Sequence, residues 1–408
     1  MVVGVGYVGR ALSLEFLKRG DHVECADINI EALSDLKELV EVELGIEAAG
    51  RLGVRSDLGV PSEAEYYVIC VPTPLGKDGL PSLTALDTVV ESLSAWLPKG
   101  STVILESTVA PHTTRTKVAG RLANKGFKIG TDVKVGFASE RLDPAGNPIP
   151  LIDIPKVFSG ITQDCTDSVR RLYTGVFRTL VEASCLEEAE MSKLIENTYR
   201  LVNIALVNEL RSVSVAKGVN FDNALELAST KPFGFKKFTP GLGAGGHCIP
   251  IDPVYLATWA RDSGEVSILD AAIRVNKGTP EVVANKLIDE VVKRGLRPSS
   301  SSLLVVGRSY KPNSDDLRES PYFPFMQKIR DKFASVTSFD SLAKAMDIES
   351  DLASWDQLEG REFDVVLCLQ QHDDVSDNAS KFKGSFLATV TKGQLNELGW
   401  AYLFGARA

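Results

Sequence analysis

Short apolar runs alternate with helix-like stretches through the first half of the chain. The runs VVGVG, HVECAD, YYVICV, TVILES and KVGFAS are typical of strands buried on both faces of a parallel sheet. Between several of them lie stretches with a helical pattern, such as RALSLEFLKRG and LTALDTVVESLSAWL. This alternation of strands and helices predicts a doubly wound sheet.

The pattern changes after the first half of the chain. Residues 182–218 contain no glycine or proline before their end and predict one long helix. A second helical block spans 253–293, and the linker RGLRPSSSS follows it. The runs SLLVVG and DVVLCL then predict strands again. We therefore expect an α/β fold in which a helical middle domain joins two doubly wound domains, with domains at 1–181, 182–294 and 295–408.

Composition and charge narrow the class of protein. The chain has 408 residues, of which 44% are hydrophobic and 24% charged, so a packed globular protein is expected. A net charge of -9 argues against nonspecific binding to nucleic acid or to an anionic membrane. The sequence has no apolar run of about 18 or more residues and begins without a signal-peptide layout, so we expect a cytoplasmic protein.

The six cysteines are scattered and form no CxxC pair, so neither a metal site nor a disulfide framework is predicted. Cys25, Cys70 and Cys368 lie in strand-like runs and are predicted to be buried and inert. Cys248 differs, because it lies in the glycine-rich loop PGLGAGGHCIPIDP at residues 240–253.

The motif GVGYVG follows the first strand-like run and opens a helix. Glycines at positions 4, 6 and 9 allow the backbone to approach a pyrophosphate at the helix N-terminus. Asp27 ends the second strand, 18 residues after Gly9, where a carboxylate binds ribose hydroxyls and disfavours the 2′-phosphate of NADP. The motif predicts NAD binding; the alternative is a tight turn with Asp27 as a cap. Only three residues precede Gly4, so either the first strand is short or the natural chain starts earlier.

An accessible thiol beside a hydride acceptor indicates a definite chemistry. An alcohol is oxidised to an aldehyde, the thiolate of Cys248 adds to it, and a second hydride transfer gives a thioester that water releases as an acid. Asp252 lies four residues after Cys248 and is a candidate base for that water. The alternative is a surface turn with an incidental cysteine.

The chain resembles the UDP-glucose/GDP-mannose dehydrogenase family of nucleotide-sugar 6-dehydrogenases over essentially its whole length. The motifs occur in the family's order: GVGYVG, VPTP, ESTVAPHTT, SERLDPAGN, EAEMSKLIENTYRLVNIALVNEL, KPFGFKKFTPGLGAGGHCIPIDPVYL and YKPNSDDLRESP. His247 and Ile251 stand where the UDP-glucose branch has Ser and Lys, so the UDP-N-acetylglucosamine 6-dehydrogenase branch is the most similar.

The resemblance implies catalytic roles for six side chains. Cys248 matches the nucleophile and Asp252 the residue that activates water. Lys193 and Asn197 are four residues apart and share a helix face, where an ammonium group can stabilise an oxyanion. Thr108 matches the residue that helps to hold the catalytic water, and Glu140 matches the residue that acts in hydrolysis of the thioester. Without the resemblance, Lys193 and Asn197 would be interpreted as part of a solvated helix face. Thr108 and Glu140 would be interpreted as caps at strand ends.

The resemblance also implies the ligand contacts. Cofactor contacts are expected from Gly4, Gly6, Tyr7, Val8, Gly9, Asp27, Thr73, Ser107, Thr108 and Arg318. Substrate contacts are expected from Glu140, Arg141, Lys193, Asn197, Phe235, Gly241, Gly243, Gly245 and Lys311. Either Lys236 or Lys237 is expected to join them. The cofactor is NAD, the partner is a UDP-sugar, and a homodimer or higher homo-oligomer is implied.

Two residues depart from the family pattern, which has Pro at Ser139 and Gly at His112. The implied reaction is a four-electron oxidation of a UDP-N-acetylhexosamine, UDP-N-acetylglucosamine favoured, at C6. UDP-N-acetylmannosamine and UDP-glucose are alternative substrates. A two-electron hydroxyacid or sugar-phosphate dehydrogenase, and a nucleotide-sugar-binding protein without turnover, are alternative functions.

Overall fold

The computed structural model describes residues 1–142, 149–344, 346 and 351–405. The chain forms two compact units. The first, called the N-terminal unit, comprises Met1–Glu196 and Val254–Gly264. The second, called the C-terminal unit, comprises Asn197–Pro253 and Glu265–Ala408. The domain boundaries expected from the sequence stay a prediction.

The N-terminal unit is built on a sheet in the order β3-β2-β1-β4-β5-β6-β7-β8. Its strands are β1 Val2–Val3, β2 Val23–Ala26, β3 Leu52–Arg55, β4 Tyr66–Ile69, β5 Thr102–Leu105, β6 Lys134–Ala138, β7 Lys156–Gly160 and β8 Leu180–Glu182. Neighbouring strands are parallel except β6 and β7, which are antiparallel. The order reverses between β1 and β4, which is the switch point where such sheets bind ligands. The predicted doubly wound sheet is confirmed.

Helices cover both faces of this sheet. They are α1 Tyr7–Arg19, α2 Ile30–Ala49, α3 Thr84–Ser94, α4 Gly120–Asn124, which continues the π-helical turn Thr114–Ala119, and α5 Gln163–Tyr173. Tyr67 and Ile69 belong to one hydrophobic core, while Val68 between them belongs to the other. Both faces of β4 are therefore buried, which explains its continuous apolar run.

A long helix, α6 Leu186–Ala216, runs from the first unit into the second. It confirms the predicted helix within 182–218. Next come α7 Phe221–Ser229, α8 Asp252–Ala260, the 3-10 turn Arg261–Ser263 and α9 Ser267–Lys293. The second helical block of the prediction is therefore two helices, separated near Gly264, whose φ of 142° does not fit a helix.

The C-terminal unit carries a second parallel sheet in the order β11-β10-β9-β12-β13-β14. Its strands are β9 Ser302–Val306, β10 Ser335–Phe339, β11 Asp351–Leu352, β12 Phe363–Cys368, β13 Gly384–Thr389 and β14 Ala401–Tyr402. Its helices are α10 Tyr322–Ile329, α11 Trp355–Leu358, α12 Asp373–Asp377 and α13 Gln394–Glu397. Cores lie on both faces of this sheet too, so the second doubly wound domain is confirmed.

Two of the three strand cysteines are fully buried as predicted, Cys25 and Cys368, while Cys70 is half-buried. Burial raises the pKa of the Cys25 thiol to about 11, which keeps it protonated and inert. In the described ranges, no helix combines the length and hydrophobicity needed to cross a membrane.

Candidate active site

The turn between β1 and α1 has no room for a side chain at two of its glycines, whereas the third glycine lies beside open space. Gly4 has a φ of 93°, and a Cβ there would lie 2.7 Å from the carbonyl oxygen of Cys70. A Cβ on Gly9 would lie 1.9 Å from the carbonyl oxygen of Gly4. A Cβ on Gly6, the N-cap of α1, would meet nothing within 4 Å. The space beside Gly6 and the helix N-terminus therefore fit a pyrophosphate.

Asp27 lies beside this turn and is half-buried. Its Oδ2 accepts a hydrogen bond from the Val5 amide at 2.6 Å, and its Oδ1 accepts one from the Asn29 amide at 2.8 Å. These bonds orient the carboxylate at the end of β2, where the ribose of a dinucleotide lies in this fold. Two further predicted contacts open α1: Tyr7, which is exposed, and Val8, which is half-buried. The turn and its carboxylate thus fit NAD.

Three predicted residues follow β4 and β5 and hold these strand ends together. The Thr73 hydroxyl donates to the Thr108 carbonyl at 2.8 Å, and the Ser107 hydroxyl donates to the Val71 carbonyl at 2.6 Å. Thr73 and Ser107 are buried and Thr108 is half-buried. The first two hydroxyls therefore connect the loops, and Thr108 is the member of this group with an accessible side chain.

Glu140 and Arg141 lie just after β6, in a segment that β7 supports. Glu140 is buried, and its Oε1 accepts a hydrogen bond from the Leu142 amide. Arg141 pairs with Glu196 at 2.5 Å and donates to the Pro155 carbonyl at 3.1 Å. The amide of Ser139 donates to the Val157 carbonyl at 2.9 Å, a bond that proline could not make. The rest of the SERLDPAGN motif, from residue 143, lies outside the described residues.

His112 adopts a φ of 72°, the left-handed region where the family pattern has glycine. Its amide donates to the Glu190 carboxylate at 2.7 Å, and its ring lies 3.2 Å from Glu187. Glu190 also accepts from the Thr114 amide at 2.8 Å and is fully buried. Burial raises the pKa of Glu190 to about 7, and the hydrogen bonds from Thr114 and His112 oppose that rise. Long-range bonds thus hold this strained residue in place.

Helix α6 and the start of α8 carry three of the predicted catalytic residues. Lys193 and Asn197 are one turn apart on α6, where Lys193 is buried and Asn197 half-buried. Within the C-terminal unit the Asn197 amide donates to Asp252 Oδ2 at 2.5 Å. Asp252 is buried at the N-terminus of α8, where a carboxylate is stabilised by the helix dipole. The structure thus brings Asn197 and Asp252 together.

Cys248 is half-exposed and begins the turn that leads into α8. Its carbonyl accepts hydrogen bonds from the Ile251 amide at 3.1 Å and the Asp252 amide at 2.9 Å. The preceding residue, His247, has its pKa lowered by burial and by the positive charge of Arg318. A neutral imidazole therefore precedes the candidate nucleophile at neutral pH.

The two glycines before His247 are required by their neighbours. A Cβ on Gly245 would lie 2.5 Å from the Tyr310 side chain and 2.7 Å from the Glu319 carbonyl. Gly246 has a φ of 83°, its amide donates to the Arg318 carbonyl at 3.0 Å, and a Cβ there would lie 2.8 Å from the Tyr310 ring. The thiol loop therefore packs directly on the YKPNSDDLRES segment, which explains its GG pair.

Two polar clamps hold the earlier part of the thiol loop. Asn208 Oδ1 accepts from the Gly241 amide at 2.9 Å, and Arg211 donates to the Gly241 carbonyl at 2.8 Å. Asn276 accepts from the Ala244 amide at 2.7 Å and donates to its carbonyl at 3.0 Å. Arg211 is 1% exposed, and its guanidinium carbon lies 3.7 Å from the centre of the Phe404 ring. The loop is thus fixed at two backbone positions.

A cavity of about 330 Å³ lies beside this loop in the C-terminal unit. Gly241 and Gly243 line it, together with Tyr310, Gln371 and Thr391. Two of the predicted substrate residues therefore border a cavity large enough for part of a small ligand.

Other predicted ligand residues lie outside that lining. Phe235 is exposed, and Lys311 is half-buried. Arg318 pairs with Asp316, with contacts of 2.7 to 3.2 Å. Lys237 is paired with Glu226, whereas Lys236 lies 5.9 Å from the Phe238 ring centre. Lys237 and Arg318, like Arg141, thus have acidic partners.

The sequence did not predict the two polar clamps. It also did not predict the buried charge cluster in which Lys156 lies between Glu106 and Glu140. Asn208 and Arg211 are polar residues three apart on a helix, and Asn276 lies four before Pro280 in α9. Proline removes the amide that would bond to the Asn276 carbonyl, which is a visible signal of a local irregularity. The clamping residues lie 30 to 33 positions away from the loop residues that they bind, so no local pattern could have paired them.

Three sequence models of the UDP-glucose/GDP-mannose dehydrogenase family match the chain. The NAD binding domain matches residues 1–177, the central domain 187–278 and the UDP binding domain 304–391. The matched ranges agree with the glycine turn in the first sheet and with the cavity in the C-terminal unit.

Known proteins resemble most of the chain. UDP-N-acetyl-D-mannosamine dehydrogenase of Pyrococcus horikoshii is 33% identical over 349 residues, which are 83% of this chain and 82% of that protein. UDP-N-acetyl-D-glucosamine 6-dehydrogenase of Pseudomonas aeruginosa is 33% identical over 354 residues, 85% of this chain and 83% of that protein. The solved structure of the UDP-D-ManNAc dehydrogenase from Pyrococcus horikoshii superposes with a TM-score of 0.85 at 27% identity, covering 98% of both chains. The chain therefore belongs to the UDP-glucose/GDP-mannose dehydrogenase family and is an NAD-dependent oxidoreductase.

Proposed function

We propose that the protein oxidises the C6 alcohol of a UDP-N-acetylhexosamine to the carboxylic acid, with UDP-N-acetylglucosamine as the favoured sugar. The observation that carries this proposal is the hydrogen bond from Asn197 to Asp252, four residues after the half-exposed thiol of Cys248. A nucleophile and an oriented carboxylate on one turn suit an oxidation that passes through a covalent thioester. Relatives that act on acetylated UDP-sugars support the substrate class.

In this proposal the thiolate of Cys248 attacks the aldehyde carbon, and a carbon–sulfur bond forms. The Gly4–Gly9 turn would hold NAD, which would supply the hydride acceptor for both oxidations at C6. Water then adds to the thioester carbonyl, the carbon–sulfur bond breaks, and Cys248 leaves as a thiolate. Asp252, held by Asn197, takes the proton from that water.

Lys193 stabilises the oxyanion that develops at C6, and Asn197 lies one turn away on α6. Thr108, with its accessible side chain, holds the catalytic water, and Glu140 acts in the hydrolysis of the thioester. We assign Gly241 and Gly243 to the substrate because they line the cavity. Further substrate contacts are assigned to Arg141, Phe235, Gly245 and Lys311, and a cofactor contact to Arg318.

The sugar is decided by a direct assay. Limiting UDP-N-acetylglucosamine, UDP-N-acetylgalactosamine, UDP-N-acetylmannosamine and UDP-glucose are oxidised in parallel, and NADH is measured by absorbance. We expect the largest kcat/KM with UDP-N-acetylglucosamine. A higher value with UDP-N-acetylmannosamine, the sugar named for the Pyrococcus horikoshii relative, would replace it as the substrate. No NADH with any sugar on folded protein would contradict the proposed activity.

We also propose that two copies of the chain pair along α6. Exposed apolar side chains follow this helix at steps of three, four or seven residues: Ile195, Tyr199, Leu206, Leu210 and Val213. A stripe with that spacing lies on one helix face and favours burial against a second copy. Sedimentation equilibrium is expected to give twice the chain mass, and Leu206→Glu to give the single chain mass; a monomeric unmodified protein would contradict this assembly.

A further inference from the structure

A buried charge cluster lies behind Glu140 in the N-terminal unit. The ammonium group of Lys156, on β7, is 2.6 Å from Oε2 of Glu106 and 3.9 Å from Oε2 of Glu140. Lys156 is 2% exposed, Glu106 1% and Glu140 7%. A single buried ammonium group therefore lies beside two carboxylates.

Aromatic side chains complete the surroundings of Lys156. Its ammonium lies 5.2 Å from the ring centre of Tyr173 and 5.1 Å from that of Phe177. The Tyr173 hydroxyl donates to Oε1 of Glu106. Glu106 is thus held by two donors, and Lys156 is fixed between a carboxylate and two ring faces. This packing leaves the ammonium group little freedom to move away from Glu140.

The cluster affects how its members ionise. Burial raises the pKa of Glu106 to about 7, while the positive charge of Lys156 opposes that rise and the negative charge of Glu140 adds to it. Burial also raises the pKa values of Tyr173 and Cys70 well above their usual range. Those two groups are neutral at neutral pH, and Arg141, next to Glu140, is paired with Glu196. Among the residues that the structure describes, Lys156 is therefore the cation that lies beside Glu140 from the neighbouring strand.

We propose that Lys156 is a positioning residue whose buried positive charge stabilises the Glu140 carboxylate, and that Glu106 and Tyr173 hold Lys156 in place for that purpose. The proposal rests on the role proposed above for Glu140 in hydrolysis. When water adds to the thioester and Cys248 leaves as a thiolate, an ionised Glu140 accepts a stronger, charge-assisted hydrogen bond from that water than a protonated one would. Lys156 does not itself touch the reacting atoms.

The test replaces Lys156 by Met in the full chain, with NAD and the UDP-sugar that the wild type oxidises. Without the ammonium, the Glu140 carboxylate loses the positive charge 3.9 Å away, so the acid limb of the kcat profile is expected to move to higher pH. Because hydrolysis slows while the oxidations do not, we expect a burst of two NADH per site before a slower steady state. The sugar adduct on Cys248 is expected in the mass of acid-quenched protein.

Three further variants separate positioning from folding. Lys156→Arg retains the charge and is expected to restore the wild-type acid limb. Glu106→Gln leaves Lys156 with Glu140 as its anionic neighbour, so the acid limb of the kcat profile is expected to move to lower pH. If Lys156→Met fails to fold, the acid limb of Glu106→Gln tests the proposal instead. Lys125→Met removes an exposed lysine paired with Glu91 at 2.5 Å and is expected to leave the profile unchanged.

A direct titration distinguishes this proposal from the proposed activity. The infrared carbonyl band of unliganded protein is followed with pH, and the component that Glu140→Gln removes is assigned to Glu140. A higher midpoint of that component in Lys156→Met supports the proposal even if no UDP-sugar is oxidised. An unchanged midpoint in both Lys156→Met and Glu106→Gln, or a kcat loss equal at every pH without an adduct, would overturn it.

Discussion

The two parallel sheets begin with the same backbone arrangement. In the first, the Gly4 amide bonds to the Ala26 carbonyl at 2.8 Å, and the Val5 amide bonds to Asp27 at 2.6 Å. In the second, the Gly307 amide bonds to the Phe339 carbonyl at 2.8 Å, and the Arg308 amide bonds to Asp340 at 2.6 Å. Both glycines have positive φ, 93° and 85°. Each sheet thus places an aspartate at the end of its second strand, beside its switch point.

Asp27 and Asp340 differ in their burial and in their hydrogen-bond partners. Asp27 is half-buried and accepts from two amides, whereas Asp340 is fully buried and accepts from the amides of Arg308, Ser309, Leu342 and Ala343. His372 lies 3.3 Å from Asp340, and the buried Arg308 side chain donates to the Ala343 carbonyl at 2.6 Å. Asp340 therefore supports the fold.

The glycines differ as well. The first turn continues Gly4-Val-Gly6, and Gly6 leaves open space; the second continues Gly307-Arg308-Ser309, with bulkier side chains at those places. The same sheet topology therefore does not suffice for a dinucleotide, which also needs the second glycine and an accessible carboxylate. Four changes test this comparison, beginning with the largest expected effect.

Asp340→Ala is expected to lower the free energy of unfolding by about 3–5 kcal/mol, because it leaves the buried His372 and the backbone amides of Arg308 and Ala343 without their carboxylate acceptor. Chemical denaturation followed by circular dichroism measures the change. Asp27→Ala, the matched substitution in the first sheet, is expected to cost less than about 1 kcal/mol. Equal losses in the two variants would remove the distinction between the two aspartates.

Acid is expected to weaken the second sheet through the same carboxylate. Burial alone would raise the pKa of Asp340, but the hydrogen bond and charge of His372 and the backbone amides lower it to about 2. The unfolded chain has a value of about 4, so this stabilisation is present above pH ~4 and is lost as the pH falls from about 4 to about 2. The loss is on the order of 2 kcal/mol, and Asp340→Asn is expected to flatten that part of the pH profile of stability.

Asp27→Ala is expected to weaken NAD binding by about 10- to 30-fold, since a charged hydrogen bond to ribose is worth about 1.5–2 kcal/mol. It is also expected to narrow the preference for NAD over NADP. Isothermal titration with both dinucleotides measures these changes. Unchanged NAD affinity would show that Asp27 is not the ribose ligand.

Gly6→Ala has the smallest expected effect on stability, within about 0.5 kcal/mol, because the added Cβ meets no atom within 4 Å. NAD affinity is expected to fall by about tenfold, because that space is where the pyrophosphate binds. Gly307→Ala is the matched control, since its Cβ would lie 2.2 Å from the Gln370 carbonyl and must disturb the fold. Full NAD affinity in Gly6→Ala would place the pyrophosphate elsewhere.

The central strands of the first sheet could be predicted from the sequence, whereas the outer strands could not. Strands such as β4 are buried on both faces and therefore read as apolar runs. The edge strand β3, LGVR, is half-exposed and has no such run, and β10 of the second sheet, SVTSF, is interrupted by the polar residues Ser335, Thr337 and Ser338. A strand of this kind is defined by its neighbours in the sheet, which the local sequence does not name.

Part of the candidate site could also be predicted from the sequence, and part could not. The glycine turn, Asp27 and the Cys248 loop are contiguous motifs whose local geometry dictates their residue types. The contact between Lys156 and Glu106 joins residues 50 positions apart, and the clamp of Asn276 on Ala244 joins residues 32 apart. Such pairs are set by strand order and helix packing, so only the folded chain brings them together.

The most direct test of the account is the number of NADH molecules formed per molecule of limiting UDP-N-acetylglucosamine, measured with the wild type and with Cys248→Ala. We expect two NADH per sugar for the wild type and no uronic acid from Cys248→Ala, which still binds NAD and the UDP-sugar. One NADH per sugar, or full acid formation by Cys248→Ala, would contradict the thioester route.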